Sequence, residues 1–173
     1  MKIAIIGYSG AGKSTLAEKL SHYYSIPKLH MDTLQFQPGW QDSDREWMLT
    51  EMKNFLTKHE SWVIDGNYSW CYYEERMQEA DQIIFLNLSP FTCLFRAFKR
   101  YLTYRGKVRE SMAKGCPEQF NWEFIRWILW DGRTKNAKDR YQYLNNTYPE
   151  KMHILHSQAE IDCFLKSLKK KII

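Results

Sequence analysis

The sequence predicts an α/β domain built on a five-stranded, mainly parallel sheet, and three observations carry that prediction. Five short segments, KIAII, PKLHMD, SWVIDG, QIIFLNLS and KMHILHS, hold apolar runs without the polar alternation of a half-exposed strand. Segments with helical spacing separate them, and each parallel crossover needs a connection long enough for a helix. A glycine-dense turn, GYSGAGKST, joins the first strand to the first of those helices.

KIAII opens the chain as a strand buried on both faces. KSTLAEKLSHYY then sets Leu16, Ala17, Leu20 and Tyr23 on one helical face, and Pro27 closes the segment. PKLHMD is the second strand. SDREWMLTEMKNFLTKH repeats the helical pattern with Trp47, Met48, Met52, Phe55 and Leu56, and Ser43 or Asp44 caps it. SWVIDG and QIIFLNLS follow as the third and fourth strands. FTCLFRAFKRYLTYR, just after Pro90, and NWEFIRWILW, after a polar break, are helices inside a connection of more than sixty residues that precedes the fifth strand, KMHILHS. A connection of that length is expected to be a helical lid, here about residues 91–140. SQAE is a capping box for a last helix carrying Ile161, Phe164, Leu165 and Leu168. No repeat or linker composition divides residues 1–173, which read as a single domain.

The turn after the first strand is the strongest chemical signal. Gly7, Tyr8, Ser9, Gly10, Ala11, Gly12, Lys13 and Ser14 satisfy G-x-x-x-x-G-K-[ST] between a strand and a helix, which is the phosphate-binding P-loop. Glycines let successive amides curl around phosphate oxygens, and the following helix adds the positive end of its dipole. Lys13 is expected at the β- and γ-phosphates and Ser14 on Mg²⁺, with Gly7, Gly10, Ala11, Gly12 and Thr15 completing the cradle. Tyr8, Ser9 and Ala11 are read as shaping the backbone. The ligand is a nucleoside triphosphate. ATP is favoured over GTP, because no N-K-x-D segment and no suitably placed D-x-x-G segment is present.

Two acids end predicted strands. Asp65 in WVIDGNYS is the second expected Mg²⁺ group. Asp32 in KLHMDTL faces the same end of the sheet, where open α/β sheets bind ligands, and is placed to take the proton of an attacking hydroxyl. His30, two residues earlier, is read as structural. Arg96, Arg100 and Arg109 in the insertion are assigned to neutralising phosphate charge during transfer, since forked guanidinium groups suit that geometry. FQPGW, residues 36–40, either walls an acceptor pocket or packs its own loop. Trp122, Phe124, Trp127 and Trp130 fall at helical spacings and are read as a packing face before a base-stacking platform.

Composition bounds the function. Apolar types at 44% and charged types at 26% exclude a disordered or fibrous chain. No run approaches the roughly 20 apolar residues of a membrane span, the N-terminal apolar run is too short for a secretory signal, and no membrane partner is expected. The cytoplasm is the default location. Cys71, Cys93, Cys116 and Cys163 are far apart and read as free thiols. Residues 91–115 hold seven Lys/Arg against one Glu, so the net charge of +5 is concentrated there.

The arrangement resembles the small P-loop kinases of the adenylate kinase/shikimate kinase group. GYSGAGKST, LHMDTLQFQPGW, WVIDGNYS and RYLTYRGKVRESMAKGCPEQFNWEFIRWI together resemble, in order, segments of the DNA topology modulation, or FlaR-like, proteins. The resemblance implies a three-layer P-loop NTPase fold with strand order 2-3-1-4-5 and a helical lid between strands 4 and 5. It implies ATP on residues 10–15, an acceptor near Asp32 and Trp40, Asp65 to Asn67 lining the cleft, and lid arginines at Arg96, Arg100, Arg105 and Arg109, with Arg105 on the nucleotide. DGNYSW lacks the Pro-Arg pair that many nucleotide kinases carry after the third strand, which argues against a nucleoside monophosphate acceptor held as in adenylate kinase. Two functions follow: a kinase moving the γ-phosphoryl group of MgATP to a small hydroxyl or phosphate acceptor, or a nucleotide-switched regulator acting on DNA through the basic insertion and the C-terminal KSLKKK.

Overall fold

Five strands form one parallel sheet whose central member is the strand that leads into the P-loop. The computed structural model describes residues 1–170, so the end of the KSLKKK run lies outside the described residues. In chain order the elements are β1 (Lys2–Gly7), α1 (Lys13–Tyr24), β2 (Lys28–His30), α2 (Asp32–Gln35), β3 (Phe36–Gln37), β4 (Gln41–Asp42), α3 (Arg45–Lys58), β5 (Trp62–Asp65) and α4 (Tyr73–Glu79). There follow β6 (Gln82–Leu86), α5 (Pro90–Tyr104), α6 (Trp122–Leu129), a 3-10 turn (Asp131–Arg133), α7 (Lys135–Thr147), β7 (Met152–Leu155) and α8 (Gln158–Lys170).

The sheet runs β2-β5-β1-β6-β7 with every pair parallel. Counted over its five strands in chain order this is 2-3-1-4-5, the expected topology. Because β1 lies between two neighbours and under helices on both sides, Ile3, Ala4, Ile5 and Ile6 are fully buried, which is why its sequence shows no alternation. Ile64, Ile83, Ile84 and Leu86 continue that core into β5 and β6. Among the described residues no helix is long and apolar enough to cross a membrane.

Three features were not legible as elements. FQPGW supplies the first strand and the turn of a two-stranded antiparallel hairpin, β3 with β4, too short for any periodic signal. Asp32 does not end a strand: β2 stops at His30, and Asp32 opens the single turn α2. α7 occupies the polar stretch before β7, burying only Tyr141 and Leu144. The predicted caps form: the Asp44 carboxylate accepts from Trp47 N–H at 2.9 Å, and Ser157 Oγ accepts from Glu160 N–H ahead of α8. Ser89, not foreseen as a cap, accepts at Oγ from Thr92 N–H ahead of α5.

The insertion does not stand apart from the rest. Met112, Ala113 and Cys116 form a small buried cluster with Phe36 and Trp40 of the hairpin. Gly39 N–H donates to Gly115 C=O at 3.0 Å, and Trp40 Nε1–H donates to Pro117 C=O at 3.1 Å. Trp40 sits in the left-handed region with φ 64°, uncommon for an aromatic residue, and these contacts hold it there. Hairpin and insertion thus join above the carboxyl ends of the strands.

Gly10 shows how closely α5 approaches the P-loop. Its φ is +80°, and a Cβ there would lie 2.4 Å from the Cys93 carbonyl oxygen. Backbone strain and overpacking act together at such a site. Gly10→Ala is therefore expected to cost on the order of 3 kcal/mol and to lower Tm by roughly 6–12 °C. A thermal melt within a degree of wild type would show that the loop and α5 separate freely.

Candidate active site

The P-loop is pinned from several sides. Lys13 follows Gly12 into the first turn of α1 and folds back, its Nζ donating to Gly7 C=O at 2.9 Å and Tyr8 C=O at 3.2 Å. Desolvation lowers the pKa of its ammonium, and the charges of Asp32 and Asp65 oppose that shift. Asn67 clamps the loop entrance through Gly7: its Oδ1 accepts from Gly7 N–H at 3.0 Å and its Nδ2 donates to Gly7 C=O. Arg96, on α5, donates to Ala11 C=O at 2.7 Å and to Gln158 Oε1 at 2.6 Å, so one guanidinium ties the loop to α8.

Tyr8 and Ser9 do more than shape backbone. The Tyr8 ring is buried against Phe85 and Tyr141, and the Arg133 guanidinium lies 3.7 Å above it. Ser9 Oγ accepts from Trp127 Nε1–H at 3.1 Å. That contact corrects the reading of α6 as a packing face. Ile128 is its buried residue, whereas Trp122, Trp127 and Trp130 are at least half exposed. Of the four aromatics Phe124 does pack against the core, and both it and Trp127 line the cleft.

Below the loop, Ser14 Oγ–H donates to Asp65 Oδ2 at 2.9 Å, and the other Asp65 oxygen pairs with His30 Nδ1. Asp65 and His30 are both buried, so His30 orients the carboxylate from beneath rather than facing ligand. The pairing requires the register that sets His30 opposite Asp65 across β2 and β5. A hydroxyl and a carboxylate side by side under a phosphate cradle form an all-oxygen donor set that fits Mg²⁺, which keeps several waters and takes phosphate oxygens.

A cleft of about 700 Å³ opens above the loop, within the range of small-molecule sites. Gly10, Ala11, Gly12, Lys13, Ser14 and Thr15 form its floor, with Arg96, Phe124, Trp127 and Gln158 at one side. Asp32, Phe36, Trp40, Arg100, Arg109, Met112 and Glu118 form the other. FQPGW therefore both walls the cleft and packs against the insertion. Asp32 Oδ1 accepts from Tyr68 O–H at 2.7 Å. Burial first, then the neighbouring Asp32 charge, raises the Tyr68 pKa, so the phenol stays protonated and donates. The second Asp32 oxygen accepts no hydrogen bond among the described residues.

Arg100 and Arg109 converge on one carboxylate, Glu118, which is buried. Desolvation and the neighbouring Arg109 lower the Arg100 pKa, and Glu118 opposes them. Arg105 is not brought to the cleft. It follows the last residue of α5 and is exposed. Nine residues beyond Arg96, it falls half a turn away on a helix of 3.6 residues per turn. Gly7 lies under the loop and Asp65 under Ser14, neither lining the cleft itself.

Sequence reasoning missed Tyr68, Glu118 and Arg133, and it named Trp127 without its contact to the P-loop. Only Glu118 had a usable signal: it is the first acid after the cation-rich run, at a distance that lets the chain turn back.

Comparison with solved structures supports the fold. Shikimate kinase from Bacteroides thetaiotaomicron aligns over 99% of this chain and 98% of its own, with TM-score 0.52 and 18% identity. Deoxyadenosine kinase from M. mycoides, solved with its products dCMP and a flexible dCDP, aligns over 98% and 99%, with TM-score 0.51 and 18% identity. No protein-family model and no curated protein matches the sequence. The chain thus has the fold of the P-loop kinases, while the resemblance to DNA topology modulation proteins rests on the quoted segments alone.

Proposed function

We propose that this chain is an ATP-dependent phosphotransferase that moves the γ-phosphoryl group of MgATP to a small acceptor. The observation that carries the reading is the sharing of one cleft by the P-loop with Lys13 and by Asp32, whose carboxylate Tyr68 holds with one oxygen left to accept. Loop amides and Lys13 bind the polyphosphate tail, and Ser14 with Asp65 would hold Mg²⁺, which supplies charge neutralisation between phosphate oxygens. Asp32 takes the proton from the acceptor hydroxyl as its oxygen forms the new bond to phosphorus, and the bond from phosphorus to the bridging oxygen breaks to release ADP. Lys13 and Arg96, both at the P-loop, offset charge that builds on the transferred group. The roof joining hairpin and insertion keeps bulk water from competing as acceptor. A place beside the DNA topology modulation proteins is part of this proposal and rests on the order of the four segments.

Calorimetric titration with MgATP and MgGTP tests the first step, and ADP release across nucleosides, nucleotides and small alcohols tests the second. MgATP is expected to bind, and Asp65→Asn to raise the Mg²⁺ concentration needed for half-maximal turnover about tenfold or more. No heat with either triphosphate would end the reading; an unchanged Mg²⁺ requirement would remove Asp65 from the metal site.

A further inference from the structure

The acceptor half of the cleft has a charge balance that points to a class of acceptor, an inference that rests on the phosphotransferase reading. Arg100 Nε donates to Glu118 Oε2 at 2.9 Å, and Arg109 Nε donates to the other carboxylate oxygen. Arg109 commits a further donor to Ser111 Oγ at 2.9 Å. The Glu118 side chain is 4% exposed, against 27% and 14% for the arginines, so these charges meet where water screens them poorly. Asp32 supplies a second carboxylate facing the same space. Two cations and two anions leave this half formally neutral. Phe36 and Trp40, which meet edge to face at 5.2 Å between ring centres, add an apolar wall with Met112 beside them, and Gln119 and Asn121 add uncharged amides.

A site for a phosphate or carboxylate is built differently, with guanidinium groups that carry no fixed counter-anion of their own. Here an anionic acceptor meets two carboxylates in a poorly screened space, or must displace a buried Glu118 that both arginines hold. We propose that Glu118 is a specificity-determining residue: a fixed counter-anion that cancels Arg100 and Arg109, so the acceptor half takes an uncharged hydroxyl compound with an apolar or planar body and rejects its phosphorylated counterpart. A nucleoside has the required chemistry.

The test uses the full chain and matched pairs: adenosine and AMP, thymidine and its 5′-monophosphate, glycerol and glycerol 3-phosphate. ADP release from MgATP is expected with the uncharged member of at least one pair, at a kcat/KM about tenfold or more above its charged counterpart. Preference for the charged member overturns the inference and leaves the phosphotransferase reading standing. If MgATP binds yet nothing turns over, that reading fails, and binding alone decides the inference. With the P-loop saturated by a non-hydrolysable ATP analogue, inorganic phosphate is expected to bind Glu118→Gln about tenfold more tightly than wild type, while Glu118→Asp stays near wild type. Equal phosphate affinity in wild type and Glu118→Gln overturns it. Where Glu118→Gln shows no cooperative melt, the wild-type titration decides: measurable phosphate binding beside the analogue overturns the inference, and its absence supports it.

Discussion

Replacing Lys13 with alanine is expected to lower kcat by roughly a thousandfold while leaving the thermal melt close to that of wild type. Among the described residues the side chain holds no ion pair; its ammonium rests on the carbonyls of Gly7 and Tyr8, at the floor of the cleft. Those carbonyls belong to a loop already fixed by Asn67, Arg96 and Trp127, so its shape survives the loss. On the proposed reading, what disappears is the cation beside the transferring group, in a partly desolvated place where its charge counts most. ADP release and a melt measured on the same preparation check both halves. Turnover within tenfold of wild type would mean that backbone amides alone stabilise the transferring phosphoryl group, and a large drop in Tm would make Lys13 a structural residue first.

Legibility of this protein varied with how local the signal was. The P-loop and β1 were readable because their pattern is set by backbone geometry: glycines where the chain curls or α5 crowds in, aliphatics where neighbours cover both faces. The strand order could not come from periodicity, only from resemblance, and it holds. Asp32 lines the cleft for the reason read from sequence, its place at the carboxyl end of the sheet, but from a helical turn and not from a strand. The insertion was the hardest part. Its cations were visible, yet their use depended on where α5 stops. Arg100 and Arg109 meet on Glu118 only because the chain reverses after Tyr104, and Arg105 leaves the cleft for the same reason. Contacts between segments far apart in sequence, such as Tyr68 with Asp32 or Trp127 with Ser9, leave no trace in either sequence neighbourhood.

Asp32→Asn separates catalysis from binding, and it is expected to cut kcat by about 10²–10⁴-fold with the MgATP dissociation constant changed less than about threefold. Asparagine is the same size, and its amide oxygen can still accept from Tyr68 O–H, so α2 and the hairpin behind it keep their places. The amide cannot take up a proton from an attacking hydroxyl. On the proposed reading ATP affinity comes from the P-loop floor and Arg96, and Asp32 reaches Lys13 through its charge rather than through a hydrogen bond. Tyr68→Phe is the companion measurement: it removes the hydrogen bond that orients Asp32 and leaves the carboxylate, so it should slow transfer by about tenfold, well short of the Asp32→Asn loss. Steady-state ADP release alongside calorimetric MgATP titration reads the split between kcat and binding. Full turnover in Asp32→Asn would strip the residue of a proton-accepting role. Equal losses in kcat and in ATP affinity would place Asp32 instead among the groups that hold the nucleotide.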